Sequence, residues 1–151
     1  MVIDFRLRPP LLGFKDLIMY SQAERRDRLT RQHGMEPAPS AQQQSMGLLL
    51  KEMDEAGVTM GVVMGRYSGG MGSISNQDVA KIVRDYPGRF VGVGSVDPSN
   101  RKAAIRQIEE AVDLGRKGIN MEPGAYPSPM YADDRRLYPI YAHCEDHSIP
   151  V

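Results

Sequence analysis

Apolar positions along this chain follow two rhythms. Val58 to Met64 and Phe90 to Val96 are short, largely apolar runs, the pattern of parallel strands covered on both faces. Met46, Leu49, Leu50 and Met53 fall instead at i, i+3, i+4 and i+7, as do Val79, Ile82, Val83 and Tyr86. That spacing lays one apolar stripe along a helix. Ile105, Ile108 and Val112 mark a further helix, and Gly118 to Met121 a short fourth strand. The chain opens on a strand of its own, Val2 to Arg8, stopped by Pro9 and Pro10 because proline gives no N–H to a ladder.

Local signals punctuate these elements. Ser40-x-x-Gln43 is a capping-box pattern opening the Met46 helix, and Gly57 is placed to close it. Ser75-x-x-Asp78 opens the next helix and Pro87-Gly88 ends it; Ser99 or Asn100 caps the third, which Gly115 stops. Asp133 or Asp134 is expected to cap a last helix, whose regular part starts near Leu137 or Tyr138 because Pro139 is tolerated only in an opening turn. Ile149-Pro150-Val151 then begins a fifth strand. The long connection from Leu11 to Pro39 holds one short helix, Ala23 to Thr30, whose Arg25, Arg26 and Arg28 (with Arg31 just after) are expected to face solvent or a partner.

Strands recurring about every thirty residues between amphipathic helices predict an α/β fold with a parallel sheet. Right-handed crossovers put all strand C-termini on one side, where ligands bind in both closed barrels and open doubly wound sheets. Five charged side chains gather there: Arg6 and Arg8, Arg66, Asp97 and Glu122. Residues two apart on a strand share a face, so Arg6 and Arg8 point one way, Phe5 and Leu7 the other. The three arginines are candidates for binding a substrate carboxylate or phosphate, and Glu122 and Asp97 for acid–base work or metal binding. Their alternative role is as ordinary loop charges and structural ion pairs.

Charge narrows the choice of partner. Nineteen basic residues balance nineteen acidic ones, so no overall field favours nucleic acid. No apolar run approaches a membrane span, and Asp4, Arg6 and Arg8 interrupt the only early one, so neither membrane nor signal peptide is expected. The single cysteine, Cys144, cannot form an intrachain disulfide and fits a reducing compartment. A cytoplasmic protein, a homo-oligomer with a small anionic substrate, is expected.

Two motifs suggest other chemistry. Gly70-x-Gly72-x-x-Ser75, between a strand and a helix and with Asp97 ending the next strand, is a degenerate dinucleotide fingerprint. It supports an alternative, a doubly wound nucleotide-binding domain; the plainer reading is a glycine-rich loop. His143 and His147 lie one helical turn apart, the spacing of a zinc pair, but the glutamate that should follow the first histidine is absent and a helix C-terminus favours histidine anyway. Cys144 is read as a small packed hydrophobe.

The order of the pieces resembles the amidohydrolase-related branch of the amidohydrolase superfamily, which includes aminocarboxymuconate-semialdehyde decarboxylase-like proteins. The resemblance is carried by the opening Val2-Ile3-Asp4, by Gly57 to Gly65, by Asn76-Gln77-Asp78-Val79-Ala80 followed by Tyr86 to Pro98, and by Asp133 to Tyr141 running on to Ile149-Pro150-Val151. It implies a parallel (β/α)8 TIM-type barrel, of which residues 1–151 are about the first half, strands one to four and the start of the fifth, in a single domain. Barrels of this type need roughly 250 residues. It also implies hydrolysis or decarboxylation of a small carboxylated compound, with a divalent metal such as zinc as the usual cofactor. Members open with Asp-x-His-x-His, whose histidines hold that metal; here Arg6 and Arg8 stand in their places. A guanidinium has no free lone pair, so the cofactor is left open and no residue present is assigned to metal. A non-catalytic binding module of the same fold is the other alternative.

Overall fold

A computed structural model describes residues 1–68, 72–126 and 128–151. Four parallel strands, β1 (Val2–Asp4), β2 (Val58–Met64), β3 (Phe90–Ser95) and β4 (Ile119–Asn120), lie side by side in chain order. Helices fill every crossover: α1 (Ile18–Ser21), α2 (Ala23–Gln32), α3 (Pro39–Gln43) and α4 (Met46–Glu55) between β1 and β2, α5 (Asn76–Asp85) between β2 and β3, α6 (Arg101–Asp113) between β3 and β4, and α7 (Tyr138–Asp146) after β4. Strand order follows chain order with no reversal, the progression of a barrel wall rather than of a doubly wound sheet. The result is half of a TIM-type barrel.

One face of the sheet is packed and the other is not. Val63 and Phe90 on the outer face join Val79 and Ile82 of α5, Met53 of α4, and Leu7, Phe14, Leu17 and Tyr20 in one buried cluster. Val96 and Ile119 join Ala104, Ile108 and Ala111 of α6, and Leu137, Ile140 and Cys144, in a second. β3 has glycine where the helices press closest: a methyl group on Gly94 would lie 2.5 Å from the Ala111 Cβ. The inner face carries Phe5, Met64, Val91 and Val93 around an uncovered hollow of about 360 Å³.

Several boundaries differ from the sequence expectation. Ser40 does not cap the Met46 helix. Its backbone N–H and hydroxyl both donate to the Glu52 carboxylate, Gln44 turns through a left-handed conformation (φ 48°), and Ser45 caps α4 by accepting from the Leu48 N–H. A carboxylate twelve residues away therefore outcompetes the local box. Ser75 and Asn100 cap as expected, accepting from the N–H groups of Asp78 and Ala103. Asp134 caps nothing; it turns back on Arg136, and α7 starts at Tyr138 without a side-chain cap. Ile149 to Val151 is not a strand, although the Pro150 carbonyl accepts the Ile119 N–H on the free side of β4. Among the four helical arginines, Arg26 is no surface charge: it donates to the carbonyls of Met19 and Ala41, both at 3.0 Å, and ties the long crossover together.

A candidate anion-binding site at the strand ends

β1 ends early because Asp4 ends it. The Asp4 carboxylate accepts the Arg6 N–H at 3.0 Å, drawing Phe5 and Arg6 into a turn. Pairing resumes one residue on, where the Leu7 N–H donates to the Val62 carbonyl at 3.0 Å. Leu7 then drops into the outer core against Gly61, while Phe5 stays 70% exposed on the inner face. Phe5 and Leu7 thus do not share a face: the turn between them breaks the two-residue alternation. Arg6 and Arg8 still line one cleft, together with Met64, Gly65, Arg66, Asn120 and Glu122.

Glu122 sits at the centre of the charges. Its Oε1 pairs with Arg6 Nη2 at 2.8 Å and its Oε2 with Arg66 Nη2 at 2.6 Å. The two arginines differ in environment: the Arg6 side chain is 59% exposed and Arg66 only 14%. Arg66 is placed by its backbone, which exchanges both hydrogen bonds with Ile74 (2.9 and 2.8 Å) across the glycine-rich segment. Glu122 is placed by the end of β4, where Asn120 Nδ2 donates to the Gly65 carbonyl at 3.2 Å and ties β4 to β2. Arg8 makes no ion pair among the described residues. Burial pulls its pKa below the usual guanidinium value, and the nearby charges of Arg6 and then Arg66 add to the shift. Tyr20, in the core, donates its hydroxyl to the Arg8 carbonyl and so fixes the backbone beneath it.

Asp97 stands at the end of β3 in its own turn, its Oδ1 accepting the Ser99 N–H at 2.9 Å and hydroxyl at 2.6 Å. Asp97 is therefore at the expected end of the sheet but engaged locally rather than with the arginines. Sequence reasoning passed over three residues. Asn76 is fully buried and brackets Ser95, accepting its N–H at 2.8 Å and donating to its carbonyl at 3.2 Å, which fixes the end of β3. Asn120 links two strand ends, as above. Tyr126 donates to the Tyr67 carbonyl at 3.1 Å, and burial first, then the Asp97 charge, pushes its phenol pKa well up. For Asn76 the available signal was a polar residue in the first turn of an apolar helix; for the other two only tertiary structure supplies one.

Gly70 of the glycine-rich fingerprint lies outside the described residues. His143 and His147 stack at 4.4 Å between ring centroids, and His147 Nδ1 lies 2.8 Å from the His143 carbonyl. Among the described residues no three His, Cys, Asp or Glu side chains are grouped to hold a metal ion. No helix among them is long and apolar enough to cross a membrane.

The amidohydrolase family model matches residues 3–151. The chain belongs to the amidohydrolase family. Over 71 residues this chain is 31% identical to the 2-amino-3-carboxymuconate-6-semialdehyde decarboxylase of Dictyostelium discoideum, a match covering 46% of this chain and 19% of that protein. A solved, uncharacterized TIM-barrel protein of Bordetella bronchiseptica is 51% identical, with a TM-score of 0.94 over 99% of this chain and 53% of its own. The 5-carboxyvanillate decarboxylase of Novosphingobium aromaticivorans, solved with bound manganese, shares the fold at 18% identity, with a TM-score of 0.61 over 99% of this chain and 49% of its own. The chain thus spans about half the length of these solved relatives, and its match covers under a fifth of the Dictyostelium enzyme. The residues at its strand ends do not fit a divalent cation. Three guanidinium groups face the cleft, none with a lone pair to give, and Glu122 already serves two of them.

Proposed function

We propose that this amidohydrolase acts on a small carboxylated compound, by decarboxylation or hydrolysis, and that Arg6 and Arg8 bind an anionic group of the substrate where metal-binding relatives hold a cation. The observation that supports this reading is the charge balance of the cleft: three guanidinium groups line it with a single carboxylate, which pairs with two of them, leaving a net positive site. A substrate carboxylate meets Arg8, which has no ion-pair partner among the described residues, and competes with Glu122 for the exposed Arg6. Arg66, nearly buried, keeps its hold on Glu122 and positions it for proton transfer, with Asp97 as a second candidate for that role.

Physical chemistry constrains which group the arginines grip. A carboxylate about to leave as CO₂ loses its charge in the transition state, so clamping it with guanidinium groups stabilises the ground state and slows the reaction. In a decarboxylation, Arg6 and Arg8 must therefore hold an anionic group that stays with the product. That favours substrates bearing a second acidic group, and the decarboxylase names of the relatives support a carboxylated substrate, aromatic in the case of 5-carboxyvanillate.

The test uses the full-length protein. Titrated calorimetrically with aromatic mono- and dicarboxylates, the wild type should prefer the dicarboxylates, and Arg6→Ala and Arg8→Ala should each weaken them by tenfold or more. Unchanged affinity in both variants would remove the arginine clamp; loss of affinity without any CO₂ release or hydrolysis by the wild type would leave a binding module of the same fold.

A further inference from the structure

We propose that this protein has a second anion-binding site, distinct from the Arg6–Glu122 cleft, which takes a multiply charged oxyanion such as a phosphoryl group or a polycarboxylate. The site is a cavity of about 780 Å³ above the ends of β3 and β4, a volume suited to a small molecule. Ser99 lines it from the turn ahead of α6 and Arg101 from the first position of that helix, Tyr126 from the loop after β4, and Arg135 and Arg136 from the approach to α7. None of the charged residues of the first cleft contributes to its walls.

Three guanidinium groups line this cavity, and the nearby carboxylates answer only one. Asp134 accepts a two-pronged hydrogen bond from Arg136 (2.9 Å from Nε, 2.6 Å from Nη2). Arg101 and Arg135 make no ion pair or hydrogen bond among the described residues; Arg135 acts on Asp134 only as a nearby charge. Asp97, which precedes the lining residues Pro98 and Ser99 in the chain, has one oxygen turned to the Ser99 N–H and hydroxyl. Tyr126 is fixed as a wall because its hydroxyl is committed to the Tyr67 carbonyl. Two free guanidinium groups on different segments, facing a common space, suit an anion with several oxygens: each planar fork can take a pair of them, and a doubly charged group answers both cations.

Binding of inorganic phosphate and of citrate to the full-length protein, each compared with sodium chloride at equal ionic strength, tests the assignment. Both arginines are exposed, so Arg101→Ser with Arg135→Ser should fold as the wild type, which circular dichroism checks. Wild type should gain several degrees in Tm from millimolar phosphate or citrate, with the stronger of the two naming the ligand class. The double variant should lose that gain and bind at least tenfold more weakly; Arg101→Lys with Arg135→Lys should recover part of it; Arg8→Ala should keep it. No stabilisation of the wild type beyond that of chloride, or equal stabilisation of the double variant, overturns the proposal.

Discussion

Glu122 holds two guanidinium groups, one on each oxygen, and they differ in how much water reaches them. An exposed ion pair contributes little because solvent screens it, whereas removing a partner from a sheltered one strands a poorly hydrated charge. Arg6→Ala is therefore expected to cost under about 1 kcal/mol of stability, and Arg66→Ala or Glu122→Ala about 2 kcal/mol, measured by urea unfolding of the full-length protein. An Arg6 variant that destabilises more than the Arg66 variant would contradict this ordering. Tyr20 makes a prediction about pH. Burial raises its pKa to about 12, from an ordinary value of about 10. A phenol whose folded pKa is raised contributes stability that is fully present below its unfolded value and is lost as pH climbs through the folded one. Wild type should lose stability between about pH 10 and 12 more steeply than Tyr20→Phe, and parallel curves would show that the tyrosine does not titrate in this range.

Elements read well from sequence wherever the deciding interaction is local. Ser75 and Asn100 cap their helices because the N–H group that each accepts lies within one turn, and the i, i+3, i+4 stripes of α4 and α5 do enter the core. Ser40 failed because Glu52, distant in sequence, takes its hydroxyl and N–H together. Arg6 and Arg8 do line one cleft, but through the Asp4 turn and the resumed Leu7 pairing rather than the even alternation of a strand. Asn120 and Tyr126 donate hydrogen bonds to segments more than fifty residues away, which no local pattern registers. The glycines of β3 were legible as points of close approach, and Gly94 gives that a measurable form. Gly94→Ala would drive a methyl into Ala111, so it should cost about 1–3 kcal/mol; a neutral effect in urea titration would mean that α6 shifts freely on the sheet.

At the scale of the molecule, the sheet is finished on one face only. The outer face is sealed by helices, while Phe5, Met64, Val91 and Val93 border a hollow that nothing among the described residues covers. In the Bordetella protein, which matches almost all of this chain, 47% of the polypeptide lies outside the match. Residues 1–151 on their own should therefore self-associate through this apolar surface and the free sheet edges. Sedimentation should show mass rising with concentration; a monodisperse monomer across the micromolar range would count against a half-barrel. The paired hydrogen bonds between Arg66 and Ile74 carry a last consequence. They fasten the two ends of the intervening chain like a clasp, so the length of that chain is uncoupled from the position of the arginine. A longer or shorter segment, or new side chains over the mouth of the barrel, should therefore leave in place the charge that holds Glu122.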